Sequence, residues 1–194
     1  MFEFIDKSSP VPSHSQSLVI TYPRTVDIVY GYYPYVADVH NFILEIKEKI
    51  SKEHSYKSNV KGGKTPWKAF VDHSFTSKFI QHCILKHQST HPYLFENFLS
   101  KQFIKEAWGT EIKEGDYVTP HHHSTYNAIL YLTDGNPLLL PELNLKIHPK
   151  PGEYYFFPPQ ILHGVEISTS KKNRYNLVLN IATVSEWDLP SKKS

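Results

Sequence analysis

The chain has 194 residues, a single cysteine and a formal net charge of +2. This length predicts one domain with a sizeable buried core, and the small net charge gives no strong signal for nucleic acid or an anionic membrane surface. One cysteine excludes an internal disulfide framework and suits a reducing compartment, so we expect a cytoplasmic protein. We expect no membrane span, because no stretch reaches the ~18 apolar residues that one requires.

The first half of the chain predicts helices that support a sheet. Residues 1–17 are polar and contain two prolines, which is typical of a loose arm. Short strands are expected at 18–20 and 26–30. Apolar side chains then recur at steps of three and four across 36–50, which predicts a helix packed on a sheet. Two shorter helices are expected within 76–101, so strands and supporting helices together fill residues 18–101.

Residues 51–75 are rich in serine, lysine and glycine. Gly62-Gly63 precedes Pro66-Trp67, but a glycine pair alone does not make a phosphate-binding loop. Two interpretations stay open for this segment. It is either an ordinary surface loop or a mobile loop beside the mouth of an active site.

From residue 102 to residue 184 the pattern changes to short apolar segments separated by turn residues, which predicts a β-sandwich or jelly roll. Residues 185–194 are expected to be a frayed tail. The fold class is therefore mainly β with flanking helices. The predicted strand segments are 103–112, 121–132, 138–147, 153–157, 162–167 and 174–184.

Three consecutive histidines, His121-His122-His123, are the most unusual stretch. Side chains of a strand alternate with period two, so His121 and His123 share one face while His122 points to the other. A β-bulge would reverse that choice and make His122 a ligand. His163 is the best candidate for a third ligand from a distant strand. Three imidazoles can bind Fe, Zn, Ni or Cu and leave coordination positions open for chemistry. The alternative is an exposed histidine cluster that binds nothing.

A second constellation begins at Arg174, which shares a polar-leaning strand face with Asn176 and Asn180. If that face points inward, an anionic ligand would explain it, because guanidinium binds a carboxylate through two parallel hydrogen bonds. The alternative is an arginine on a solvated face. If the strand runs unbroken, Tyr131 lies an even number of residues from His121 and points to the same face. Two interpretations stay open: its hydroxyl donates to the same carboxylate, or Tyr131 belongs to the ordinary core.

The order and spacing of these residues resemble the 2-oxoglutarate/Fe(II)-dependent oxygenases, in their small prolyl-hydroxylase-like branch from bacteriophages and bacteria. The resemblance covers roughly residues 103–183 and implies a double-stranded β-helix (a cupin-like jelly roll) with helices packed on one sheet. The motifs that carry it are Trp108, Lys113-x-Gly115-Asp116, His121-x-His123-Ser124, Leu130-Tyr131-Leu132, Pro151-Gly152, Phe157-Pro158, His163-x-Val165-Glu166 and Arg174-Tyr175-x-Leu177-x-Leu179-Asn180-Ile181.

The resemblance implies Fe(II) held by His121, His123 and His163, and 2-oxoglutarate held through its far carboxylate by Arg174. Tyr131 and Asn176 are the further residues expected at the cosubstrate. The reaction implied is oxidative decarboxylation of 2-oxoglutarate coupled to oxidation, most simply hydroxylation, of a substrate. A protein side chain, a nucleotide and a small metabolite all stay open as that substrate, as does a homo-oligomer. The location is the host cytoplasm if the protein is viral.

One departure from the resemblance keeps other functions open. The wider superfamily has His-x-Asp or His-x-Glu, whereas this chain has His123 in the carboxylate position. The first cupin motif is also matched, by Gly115 followed after five residues by His121-x-His123. The alternative is therefore a cupin-type three-histidine metal protein, with another activity or with a binding role alone. A non-catalytic virion or host-interaction protein is the third hypothesis. Arg174 separates them, because it has a role only where a dicarboxylate binds.

Overall fold

The computed structural model describes residues 2–4, 27–34, 36–50, 59–91 and 103–182. Within these ranges the chain alternates short strands with two α-helices. The helices are α1, Val36–Lys49, and α2, Ser74–His87. The strands are β1 Phe2–Phe4, β2 Val29–Tyr32, β3 Val60–Lys61, β4 Gly63–Lys64, β5 Phe103–Ile112, β6 Tyr117–His121, β7 Tyr126–Tyr131, β8 Leu138–Leu140, β9 Leu145–Ile147, β10 Glu153–Phe157, β11 His163–Val165 and β12 Arg174–Ala182.

The strands form two antiparallel six-stranded sheets. Sheet I has the order β1-β9-β8-β11-β6-β3, and sheet II has the order β2-β10-β7-β12-β5-β4. Strands adjacent in a sheet are mostly distant in the chain, so long-range pairing defines the fold. The prediction of a mainly β protein with flanking helices is confirmed.

Both faces of sheet II are buried along its central strands. One face carries small, aliphatic and aromatic side chains that pack against α1 and α2, including Phe42 and Phe79 of the helices. The approach of α1 is close at Gly109, where a Cβ atom would lie 2.5 Å from Ile46. The other face of sheet II points toward sheet I and contributes Trp108 and Val178 to a second apolar cluster. This second face also carries Arg174 and Asn176, the polar residues expected at the cosubstrate.

Several sequence predictions can be compared with these elements. The helix predicted across 36–50 and the strands predicted at 103–112 and 153–157 are observed. The loose arm predicted for 1–17 is wrong for Phe2–Phe4, which pairs with β9 and covers hydrogen-bonding groups that an edge strand would otherwise expose. The rest of that arm, the strand at 18–20, the helix after Pro92 and the tail at 185–194 lie outside the described residues.

The segment 59–64 is not a loop. Its two short strands pair with different sheets, β3 with β6 of sheet I and β4 with β5 of sheet II. The chain therefore crosses between the sheets at Gly62 and closes one side of the sandwich. This correction matters for function, because it places Lys64 inside the protein.

The expected strand at 121–132 is also interrupted. β6 ends at His121, a bend follows at residues 124–125, and β7 begins at Tyr126. The two strands belong to different sheets, so parity could not relate Tyr131 to His121. Among the described residues, no helix has the length and apolarity needed to cross a membrane.

Candidate active site

His121 and His163 are cross-strand neighbours. β6 and β11 run antiparallel in sheet I, and the register places His163 directly opposite His121. The strands approach closely because Gly164 has no side chain, and a Cβ atom there would lie 2.8 Å from the Val118 carbonyl oxygen. The two imidazole rings consequently face each other with centroids 4.5 Å apart.

His123 completes a cluster with these two residues, which we call the histidine triad. Its ring centroid lies 4.8 Å from that of His121 and 5.0 Å from that of His163. One ligand nitrogen from each ring can be chosen so that all three lie within 4.8 Å of one another. His122 is not in the cluster, because its half-exposed side chain points toward Glu142, 3.9 Å away.

The triad is held in the neutral state that a metal ligand requires. Burial, with a smaller contribution from nearby His121, lowers the pKa of His163 to about 3 and that of His123 to about 4. Burial is also the main cause that lowers the pKa of His121. Neutral imidazoles keep a nitrogen lone pair, so the group is suited to a cation and not to a bound anion.

Backbone carbonyls fix which nitrogen carries the proton. Nδ1 of His121 lies 2.8 Å from the Thr119 carbonyl oxygen, and Nδ1 of His163 lies 3.0 Å from that of Ile161. A carbonyl oxygen only accepts, so both rings must donate from Nδ1 and present the lone pair of Nε2.

The geometry of the triad fits a metal ion. Nε2 of His121 lies 3.1 Å from Nε2 of His123. Two nitrogens bound to one cation at right angles, with bonds of about 2.1 Å, would be separated by about 3.0 Å. The residues that could hold a metal are therefore His121, His123 and His163, which are the residues that the sequence singled out.

Arg174 lies deeper on the inner face of sheet II, as the first residue of β12. It is 3% exposed, and its Nη1 donates a short hydrogen bond to the carbonyl of Asn136. Its Nε is buried and has no acceptor in the part of the chain that the structure describes. Among the described residues no carboxylate forms an ion pair with it, and burial lowers its pKa. Guanidinium remains protonated even so, and a buried charge without a counterion is costly.

Tyr131 and Asn176 flank this guanidinium. The Arg174 Cζ lies 5.5 Å from the centroid of the Tyr131 ring, and burial raises the pKa of that phenol to about 12, so it stays protonated. Asn176 donates to the Thr110 hydroxyl at 3.2 Å, while its own side-chain oxygen is buried and receives no hydrogen bond from the described residues. Tyr131 thus reaches the inner face although the parity expectation behind its choice was wrong.

Two cavities adjoin the triad and share Trp108, His121 and His123 in their walls. The inner cavity, of about 50 Å³, extends from the triad to Arg174 and Asn176. The mouth cavity, of about 250 Å³, adjoins His121 and His123 and includes Lys64 in its wall. The inner cavity alone holds about four waters, so a larger ligand on Arg174 would also occupy space at the triad.

Lys64 is the main site residue that the sequence did not indicate. It is 2% exposed, and burial lowers its pKa to about 7 although the Glu106 carboxylate opposes this shift. Its Nζ lies 2.6 Å from the centroid of the Trp67 ring and 5.2 Å from that of Trp108. A strand of two residues is too short to show an alternating pattern, so the sequence around Lys64 gave no sign of its burial except the neighbouring Trp67.

Neither a protein-family model nor a curated protein sequence matches the chain. Solved structures do. The viral collagen prolyl hydroxylase of Paramecium bursaria Chlorella virus 1, as its 2-oxoglutarate complex, aligns with a TM-score of 0.58 at 14% identity, over 84% of this chain and 98% of that one. A prolyl-4-hydroxylase of Pseudomonas putida aligns with a TM-score of 0.58 at 13% identity, over 82% of this chain and 94% of that one.

The chain shares its fold with prolyl hydroxylases. HygX of Streptomyces hygroscopicus, solved with nickel and 2-oxoglutarate bound, is also similar, with a TM-score of 0.56 at 10% identity over 82% of this chain and 84% of that one. The resemblance drawn from the sequence is confirmed at the level of the fold. Identities this low say nothing of activity, so the function depends on the residues of the site.

Proposed function

We propose that this protein is a metal- and 2-oxoglutarate-dependent oxygenase, with Fe(II) as the metal, and that its two sheets form a double-stranded β-helix. The observation that carries the proposal is the buried guanidinium of Arg174, which has no carboxylate partner among the described residues and lines the same cavity as the histidine triad. A dicarboxylate with one end on Arg174 and the other at the triad would satisfy both. Two of the similar structures were solved with 2-oxoglutarate.

Each residue has a defined task in this proposal. His121, His123 and His163 would hold the metal, and the carbonyls of Thr119 and Ile161 would keep their rings oriented. When bound, iron and 2-oxoglutarate supply the oxidative chemistry, which protein side chains cannot provide.

The deep end of the site would bind and orient the cosubstrate. Arg174 would bind its far carboxylate through Nε and a second guanidinium nitrogen, which gives the unpartnered Nε an acceptor. Tyr131 would donate its hydroxyl to the same carboxylate, because burial keeps the phenol protonated. The apolar walls formed by Ile129 and Val178 would exclude water from the reacting end.

The second candidate function is a three-histidine metal protein with another activity. The observation that favours it is the third imidazole, since His123 occupies the place where the wider oxygenase superfamily has a carboxylate. That protein would bind metal without any need for Arg174. The two candidates therefore differ in whether 2-oxoglutarate binding depends on this guanidinium.

The test is thermal melting with Mn(II) alone and with Mn(II) plus 2-oxoglutarate. In the wild type, 2-oxoglutarate should raise the melting temperature beyond the shift given by Mn(II). Arg174→Ala should keep the Mn(II) shift and weaken 2-oxoglutarate binding by about tenfold or more, because charge-assisted hydrogen bonds are lost. His163→Ala should lose both shifts, and the matched control His122→Ala should lose neither.

A wild-type protein that Mn(II) stabilises but 2-oxoglutarate does not would contradict the oxygenase proposal and favour the second candidate. A 2-oxoglutarate shift that persists unchanged in Arg174→Ala would also contradict it, since the carboxylate would then bind elsewhere.

A further inference from the structure

The mouth cavity contains hydrogen-bond donors that have no acceptor. The Lys64 ammonium makes no hydrogen bond and no ion pair within 4.0 Å among the described residues, although the side chain is almost completely buried. The indole Nε1 of Trp108, in the same wall, is buried and also lacks an acceptor within the described ranges. Unpaired buried donors are costly, and a buried charge is more so.

Packing alone does not explain a lysine here. Its Nζ is placed over the Trp67 ring, and Trp67 and Trp108 contact each other edge to face with centroids 4.7 Å apart. A cation–π contact offsets part of the desolvation of an ammonium, but it accepts no hydrogen bond. An apolar side chain of similar length would fill the same space between the indoles without the charge.

We propose that Lys64 anchors a carboxylate of the primary substrate in the mouth cavity, beside the histidine triad. This rests on the proposed function, because that function places a second, oxidisable molecule next to the metal. With 2-oxoglutarate filling the inner cavity, the mouth cavity is the second space that adjoins His121 and His123. Its volume of about 250 Å³ suits a small molecule or a single side chain.

Glu106 indicates which anion fits. It lines the same cavity, and its carboxylate accepts a hydrogen bond of 2.6 Å from the Asn180 amide, which in turn accepts one of 3.1 Å from Asn127. This chain of donors holds a negative charge in the wall. A second charge on the ligand would be repelled there, so we infer a singly charged carboxylate and not a doubly charged phosphate.

Glu106 also offers a partner for a positive group on the same ligand. A molecule with a carboxylate that pairs with Lys64 and an ammonium that pairs with Glu106 would neutralise both of these charges. Free α-amino acids have this charge pattern, whereas the backbone of a terminal peptide residue keeps only one of the two charges. The probes are therefore free L-amino acids, their methyl esters and N-acetyl derivatives, short peptides with an acidic side chain, and phosphoserine.

The experiment uses tryptophan fluorescence and thermal melting of the protein saturated with Mn(II) and 2-oxoglutarate, so that Arg174 is already occupied. At least one carboxylate probe should change the fluorescence and raise the melting temperature, because Trp67 and Trp108 flank the ammonium. Its methyl ester should bind about tenfold or more weakly, as one charge-assisted hydrogen bond is lost. Free amino acids that bind better than peptides would identify a metabolite, and the reverse order would identify a protein side chain.

Variants separate an anchoring role from a structural one. Lys64→Met should weaken binding of the carboxylate probe about tenfold or more and should raise the melting temperature of the unliganded protein, because the buried charge is removed. Lys64→Arg should keep binding. Lys61→Met, which removes an exposed lysine three residues earlier, should change neither quantity. Glu106→Gln should bind phosphoserine better than the wild type does.

Two results would overturn the inference. One is that no carboxylate probe changes the fluorescence or melting of wild-type protein, and the other is that Lys64→Met binds the probes as well as the wild type. If Mn(II) and 2-oxoglutarate fail to bind, the proposed function fails. The fluorescence difference between wild type and Lys64→Met, measured without metal, then still decides whether Lys64 binds carboxylates.

Discussion

Three buried polar atoms on the inner face of sheet II have no hydrogen-bond partner among the described residues. They are Nε of Arg174, the amide oxygen of Asn176 and Nε1 of Trp108. The Lys64 side chain, on the edge strand of the same sheet, is also almost completely buried. Each unsatisfied group costs about 1–3 kcal/mol. A ligand that pairs with these atoms would offset this cost, and this is why these residues, more than the helices, define the candidate site.

A different buried group affects stability and not chemistry. His87 of α2 is buried, and its Nε2 lies 2.7 Å from the hydroxyl of Tyr154. Burial lowers the pKa of His87, and the charges of His91, Lys86 and His82 lower it further. The folded state therefore binds fewer protons here than the unfolded state, whose histidine pKa is about 6.5.

We predict that the contribution of His87 is fully present above pH 6.5 and is lost as the pH falls from there through its lowered folded pKa. His87→Gln should flatten the fall of the free energy of unfolding between pH 7 and pH 5, by no more than about 1.4 kcal/mol per pH unit, the limit for one proton, and the melting temperature should fall less over the same range. Thermal melting without metal measures this. His40→Gln, at an exposed position on α1, is the control, and equal pH profiles for wild type and His87→Gln would contradict the prediction.

At the scale of elements, the close pairing of β6 with β11 positions the site. Gly164 allows this pairing, because a Cβ atom would lie 2.8 Å from the Val118 carbonyl oxygen and 3.0 Å from the Pro120 nitrogen. Both obstacles are backbone atoms, so the strands themselves would have to separate. His121 and His163 are carried by these strands and would separate with them.

We predict that Gly164→Ala destabilises the protein by about 1–3 kcal/mol, as overpacking does, and also weakens Mn(II) binding. Gly109→Ala is the matched control, because its Cβ would lie 2.5 Å from Ile46 of α1, on the opposite face of sheet II. It should cost similar stability and leave Mn(II) affinity unchanged. Denaturant unfolding and Mn(II) titration measure the two effects, and equal loss of Mn(II) affinity in both variants would refute the role of the strand pair.

At the scale of the whole molecule, the sequence predicts what depends on local pattern. The 36–50 helix has a clear apolar stripe, and β5 and β10 are bounded by turn residues, so all three were predictable. The histidines were found because His121-x-His123 is a local signal, and His163 follows a proline turn. Arg174 was found because it starts an alternating strand.

The rest depends on pairing between distant segments, which leaves no local pattern. β3 and β4 are two residues each, and their partners lie about fifty residues away in the chain. Lys64 is buried only because of that pairing. The break between His121 and Tyr126 was equally hard to predict, because the polar residues 122–125 are compatible with either a strand end or a bend.

The central claim is that one ligand spans the distance between the histidine triad and the buried guanidinium of Arg174. Visible absorbance under anaerobic conditions tests it most directly, since 2-oxoglutarate chelated to Fe(II) gives a charge-transfer band. We predict that wild-type protein with Fe(II) develops this band as 2-oxoglutarate is added, that Arg174→Ala needs about tenfold or more 2-oxoglutarate to reach it, and that His163→Ala never does. Wild-type protein that binds Fe(II) but shows no band at saturating 2-oxoglutarate would contradict the claim.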